Sequence, residues 1–139
     1  MANWRLRCEK LCHEIVMRNP FCEKCGLKRS MLADHHGIFR TDQRYILNPF
    51  LQVDPTIRFC LCDTCHRYNS AAPHNDQEAF EVSMATINPL KIARLREITS
   101  KPVLAGKGID PRIIDWEAVY GNIKEHGRPL QNEILEGMA

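Results

Sequence analysis

At 139 residues, with 44% hydrophobic and 26% charged residues, the chain has the size of one domain and an ordinary globular composition, which indicates neither a disordered nor a membrane class. No apolar run approaches the ~20 residues of a spanning helix, so no membrane partner is expected. The formal net charge is only +2, but residues 1–45 hold 9 Lys/Arg against 5 Asp/Glu while residues 46–139 hold 10 against 12; a basic side suits a phosphate backbone, and a solvated surface of mixed charge accounts for it equally well.

In chain order, NWRLRCEKLCHEIVMR (residues 3–18) places Leu6, Leu11, Ile15 and Val16 near helical spacing and predicts an opening helix that stops before Asn19-Pro20. Its charged start, MANWRLRCEKLCHE, lacks the apolar core of a signal peptide, so a cytoplasmic location is expected. SMLADHH (30–36) predicts a strand, IRFCL (57–61) a returning strand and DTCHRY (63–68) the start of a helix. The intervening TDQRYILNPFLQVDP (41–55), with two prolines, reads as a loop of little regular structure. Helices are expected over 76–86, 89–99 and 111–125: Asn88-Pro89 and Asp110-Pro111 each put a capping residue before a proline at the first helical position, and Gly127 follows the last helix. Phe80, Leu90, Ile92, Leu95 and Ile98 read as a layer covering a small core, and Trp116, Val119, Tyr120 and Ile123 as a core-facing stripe. The expected architecture is α+β, a single domain over 1–139 with a core over 10–70 and a helical extension over 71–139.

Seven cysteines in a chain with no export signal point to metal more than to disulfides. Cys22 and Cys25 form one C-x-x-C and Cys62 and Cys65 another, together the four thiolates of a structural zinc closing a loop of 36 residues. Cys60 offers a competing thiol, but only Cys62 has the two-residue spacing to Cys65. Cys8, Cys12 and Cys60 read as small buried apolar groups.

Between the pairs, Asp34, His35 and His36 follow one another, and His66 directly follows Cys65. Metal ligands, a catalytic base and packing groups are all open readings of these side chains. His74, in SAAPHND, reads as a loop residue within reach of a phosphate.

The order EIVMRNPFCEKCG, ADHH, CDTCHRY resembles a zinc-stapled HNH endonuclease of the ββα-metal (His-Me finger) class over residues 10 to 70. Phage recombination endonuclease VII is a member of that class, and the layout to about residue 100 is similar to phage recombination proteins of the NinG type. The resemblance implies a zinc-bound ββα-metal core wrapped by N- and C-terminal helices. It further implies a DNA endonuclease of phage or mobile-element origin, acting in the host cell cytoplasm. Zinc would be structural at the four cysteines. Asp34 and His66 would hold a catalytic Mg²⁺ or Mn²⁺, and His35 would be the general base. An imidazole near its ordinary pKa of ~6.5 suits that last role. Lys24, Lys28, Arg29, His36, Arg40 and Arg67 become candidate DNA contacts, with a register-shifted catalytic role open to His36.

One departure matters. The Asn that braces the loop behind the base in this family, about five residues before the second knuckle, corresponds to Ile57, and Asn48 substitutes only if the insertion folds back. The alternative function is therefore a catalytically degenerate zinc protein, an adaptor binding DNA or a protein partner or an inhibitor of a host system.

Overall fold

The computed structural model describes residues 2–28, 31–101 and 108–138. Helix α1 (Trp4–Met17) starts where Asn3 accepts a hydrogen bond from the Leu6 backbone N–H. Strand β1 (Leu32–His36) pairs antiparallel with β2 (Arg58–Cys62), placing His35 opposite Phe59, Asp34 opposite Cys60 and His36 opposite Arg58. The segment between the strands is more regular than its prolines suggest: Asp42 caps a short helix α2 (Gln43–Leu47), and 3₁₀ turns follow at Leu51–Val53 and Pro55–Ile57. Asp54, buried, closes the second turn by accepting from the Thr56 backbone N–H at 2.9 Å.

After β2 the chain enters one wide π-type turn over Thr64–Tyr68, closed by Asn69 N–H donating to the Thr64 carbonyl at 2.9 Å. Helices α3 (Gln77–Ile87) and α4 (Pro89–Ser100) follow, α4 capped by Asn88 as the sequence predicts and α3 by Asp76, the first residue of the range expected as helix. The helix expected over 111–125 is split. Asp110 caps only a 3₁₀ turn at Pro111–Ile113, and Asp115 starts the actual helix α5 (Trp116–His126) by accepting from Ala118. Gly127 ends α5 in the left-handed conformation at φ 74°, and α6 (Gln131–Gly137), unanticipated, completes the described chain.

The alternation of β1 and β2 divides the core in two. His35, Phe59 and Leu61 face α3 and α4, where Phe80, Met84, Ile92 and Leu95 are fully buried. Asp34, His36 and Arg58 face the side of α1, whose Cys8 and Leu11 join Phe50, Val53, Val119, Ile123 and Ile134 in a second cluster. The stripe on α5 is thus core, with the Cys8 thiol donating to the Trp116 carbonyl at 3.3 Å. Leu90 departs from the expected covering layer: at the start of α4 it is 83% exposed. No described helix is long and apolar enough to cross a membrane.

Candidate metal centres on the hairpin

Cys22, Cys25, Cys62 and Cys65 converge, with all four Sγ atoms within 4.8 Å of one another and the Cys25 and Cys62 Sγ atoms 3.9 Å apart. Four thiolates at ~2.3 Å from one zinc lie ~3.8 Å from each other, so the cluster has the dimensions of a closed tetrahedral site. The first knuckle is shaped by its own backbone: Gly26, at φ 73°, donates to the Cys22 carbonyl at 2.8 Å, and Cys22 N–H donates to Leu27 at 3.1 Å. Glu23 docks it on β2, its N–H donating to Cys60 at 2.9 Å and its carboxylate accepting from the Cys60 N–H at 2.5 Å. The thiols compete for charge. Burial pushes Cys65 well above the ordinary thiol range, while at exposed Cys25 hydrogen bonds from Leu27 and the neighbouring thiols outweigh desolvation and lower it to about 7. Four thiolates in contact repel one another unless a cation sits among them. Cys60 lies outside the cluster, buried, with its thiol toward the Asn19 carbonyl.

A second cluster lies beside the first. His35 from β1, His66 from the π-type turn and His74 from the following loop place one ring nitrogen each within 4.8 Å of the others. The His66 and His74 Nε2 atoms are 2.8 Å apart, and the His35 ring centre is 5.1 Å from that of His66 and 5.4 Å from that of His74. His35 is 3% exposed and its Nε2 is buried without a hydrogen-bond partner. Burial, then the neighbouring His66 and His74, lower its pKa to about 3, so the ring is neutral at pH 7 and free to ligate. Imidazole nitrogens ~2.1 Å from one cation stand roughly 3–3.5 Å apart, so a small opening of the His66–His74 contact accommodates an ion. His74 is held by its loop: Asn75 donates to the Arg67 carbonyl at 2.7 Å and the Asn69 carbonyl at 3.0 Å. The sequence carried only a weak signal for it, a histidine eight residues past His66 with no repeated spacing.

Asp34 and His66 are not brought together. Asp34 lies on the other face of β1, where Arg58 Nε donates to Oδ1 at 2.9 Å, Arg58 Nη2 donates to Oδ2, and His13 Nδ1 lies 2.9 Å from Oδ2. Asp34, His35 and His66 all line one cleft, but among the described residues the donors within 4.8 Å of one another there are the ring nitrogens of His35, His66 and His74, while the Asp34 carboxylate is taken up by Arg58 and His13. His36, last in β1, lines the same cleft; burial first, then Arg58, lowers its pKa to about 4, and its ring stands edge-on to Tyr45 at 5.7 Å.

Of the candidate DNA contacts, Arg40 and Arg67 are exposed and line the cleft around the histidines, joined by Phe39, whose ring stacks on His74 at 5.9 Å. Lys28 is exposed beside the first knuckle. Lys24 is committed to the fold: its Nζ donates to the Ala71 carbonyl at 3.1 Å and tethers the knuckle to the His74 loop. Arg29 lies outside the described residues. Asn48 does not brace the histidines, since its side chain bonds Phe50 N–H and Gln131. Ile57 is 1% exposed, and its carbonyl accepts the Gly37 N–H at 2.9 Å just past His36.

The arrangement is an antiparallel strand pair and a helical turn carrying a four-thiol cluster and a three-imidazole cluster side by side in a small α+β fold, the cysteine cluster being compatible with a structural zinc site. No protein-family profile, curated protein or solved structure matches the chain.

Proposed function

We propose that the chain is a metal-dependent DNA endonuclease built on a zinc-stapled ββα-metal hairpin of the HNH kind, of phage or mobile-element origin. The observation that supports this most is the convergence of His35, His66 and His74 in a cleft flanked by Arg40 and Arg67, with the buried His35 Nε2 unpartnered. Zinc at Cys22, Cys25, Cys62 and Cys65 would hold the first knuckle against β2 and the His66 turn, contributing folding free energy. At the histidines, three nitrogen donors without a carboxylate suit Zn²⁺, Ni²⁺ or Co²⁺ better than Mg²⁺ or Mn²⁺, which prefer oxygen.

A divalent cation supplies charge stabilisation for the pentacoordinate phosphate and the leaving 3′ oxygen. The chain does the rest. Arg40 and Arg67 bind the phosphate backbone from two sides of the cleft. His36, which reaches the rim of the cleft beside Arg40 from the opposite face of β1 and is neutral at pH 7, is the side chain left to take the proton from the attacking water, a role that would shift one residue along from His35. Water attacks phosphorus, the bond to the 3′ oxygen breaks, and the products carry 5′ phosphate and 3′ hydroxyl. Gly37 N–H, donated to Ile57, holds the turn after His36 where the family uses an Asn side chain.

The test is cleavage of supercoiled and branched DNA with Mn²⁺, Co²⁺, Ni²⁺ or Mg²⁺ against an EDTA control. Nicking that requires the cation and disappears in folded His66→Ala and His74→Ala supports the reading. DNA bound but never cut by the folded, cation-loaded protein moves the assignment to the adaptor, the reading that a buried aliphatic Ile57 favours.

A further inference from the structure

Among the described residues, two buried side-chain polar atoms lack a hydrogen-bond partner, His35 Nε2 and Gln77 Oε1, and both residues line the histidine cleft. The first is explained by a cation. The second needs a different account. Gln77 opens α3, and its Nε2 donates to the Gly37 carbonyl at 3.4 Å and to Glu81 Oε2 at 3.1 Å. Both partners are acceptors, so the amide cannot be turned over: exchanging its oxygen and nitrogen would set oxygen against oxygen twice. Oε1 is thereby fixed as an acceptor with no donor, a costly state for a buried group.

We infer that Gln77 is a positioning residue of the histidine metal site, its Oε1 accepting a hydrogen bond from the water that completes the coordination of the cation. The inference rests on the metal reading of His35, His66 and His74. A cation with three protein donors keeps a place for water, and such a water is a strong donor entering a cleft where Oε1 lacks one. Through its Nε2 the same side chain holds the Gly37 carbonyl, so the acceptor and the turn that carries His36 are set by one amide. An anion in place of the water brings no proton for Oε1, so Gln77 favours water over anions at that position.

The experiment titrates azide into protein that holds zinc at its cysteines and Co²⁺ at its histidines, read by the visible cobalt absorption. Gln77→Met removes the acceptor and should tighten azide roughly three- to tenfold, the worth of one hydrogen bond. Gln77→Glu keeps an acceptor, adds charge and should weaken azide. Loss of the clamp on Gly37 is common to both variants and would move them the same way, so opposite signs separate a hydrogen bond to water from a merely structural role. Equal azide affinity in the parent and Gln77→Met, or a shift of the same sign in both variants, overturns the proposal while leaving the metal site standing. If Gln77→Met does not fold, Gln77→Leu takes its place in the same comparison of signs with Gln77→Glu. A parent protein that takes up no cobalt beyond its cysteine site overturns the metal reading itself, and the proposal with it.

Discussion

Asp34 and Arg58 form a two-pronged ion pair on the face of the hairpin turned away from His35, with side chains only 7% and 8% exposed. The remaining Arg58 nitrogen, Nη1, lies 2.9 Å from the Cys12 thiol and 3.5 Å from the Gln52 carbonyl, so the guanidinium joins α1, β1 and the segment before β2. Removing one member of a buried pair leaves the other charge uncompensated. Asp34→Ala is therefore expected to destabilise the fold by about 3–5 kcal/mol in urea unfolding while the surviving folded protein still takes up Co²⁺ at the histidines. Cobalt uptake abolished in folded Asp34→Asn would restore Asp34 as a ligand.

The strand pair, both C-x-x-C spacings and the capped start of α4 were legible because each is written in local chemistry: spacing of cysteines, runs of strand formers, an acceptor before a helix. What was not legible is which face of β1 each side chain takes. A strand alternates, so His35 takes the face of His66 while Asp34 and His36 share the other and reach the cleft only at its rim, and a shift of one residue exchanges ligand for pairing group. The partner that settles Asp34 is Arg58, 24 positions away, and no local pattern marks it. His74 was hidden similarly, since its place depends on how the loop from Asn69 to Asp76 folds back over His66. The break before α5 is local but ambiguous: Asp110 and Asp115 are both competent caps, and the sequence offered no ground for choosing the second.

For the cysteine cluster, one zinc per chain is expected, held through dialysis and released by a thiol-modifying reagent. Cys65→Ser should lose it and unfold at ambient temperature, because the apo site leaves the first knuckle and the His66 turn unanchored. Metal analysis and circular dichroism decide the matter. A Cys65→Ser protein without zinc but with parental thermal stability would show that the metal does not hold the fold.

The backbone bond from Gly37 to Ile57, just past His36, predicts a pair of opposite substitutions with the same sign. A Cβ on Gly37 would lie 2.5 Å from the Ile57 carbonyl oxygen and 3.1 Å from the Phe59 ring, so Gly37→Ala forces the strand ends apart and should cost about 1–3 kcal/mol. Ile57→Asn puts an amide into a fully buried apolar site and should cost about 2–4 kcal/mol. Neither should raise cleavage. Stimulation by Ile57→Asn would instead mean that the backbone bond from Gly37 does not replace the missing side chain.

The roles of the adjacent histidines can be separated by measuring cation binding and cleavage in the same variants. His35, His66 and His74 each place a ring nitrogen within 4.8 Å of the others, so if they share one cation, alanine at any of them should weaken Co²⁺ binding by an order of magnitude or more. His36 lines the cleft, and its neutral ring has its own contact to Tyr45. His36→Ala should keep cobalt binding within a few-fold of the parent while cleavage falls by about 10²- to 10⁴-fold, the usual contribution of a placed general base. Because His36 is half-buried beside Tyr45, His36→Gln serves as the better-packed control, and it should be as inactive as His36→Ala since an amide cannot take the proton. Full cleavage by a folded His36→Gln protein would remove His36 from the chemistry. If His35→Ala then bound cobalt like the parent yet failed to cut, the base would be His35 after all.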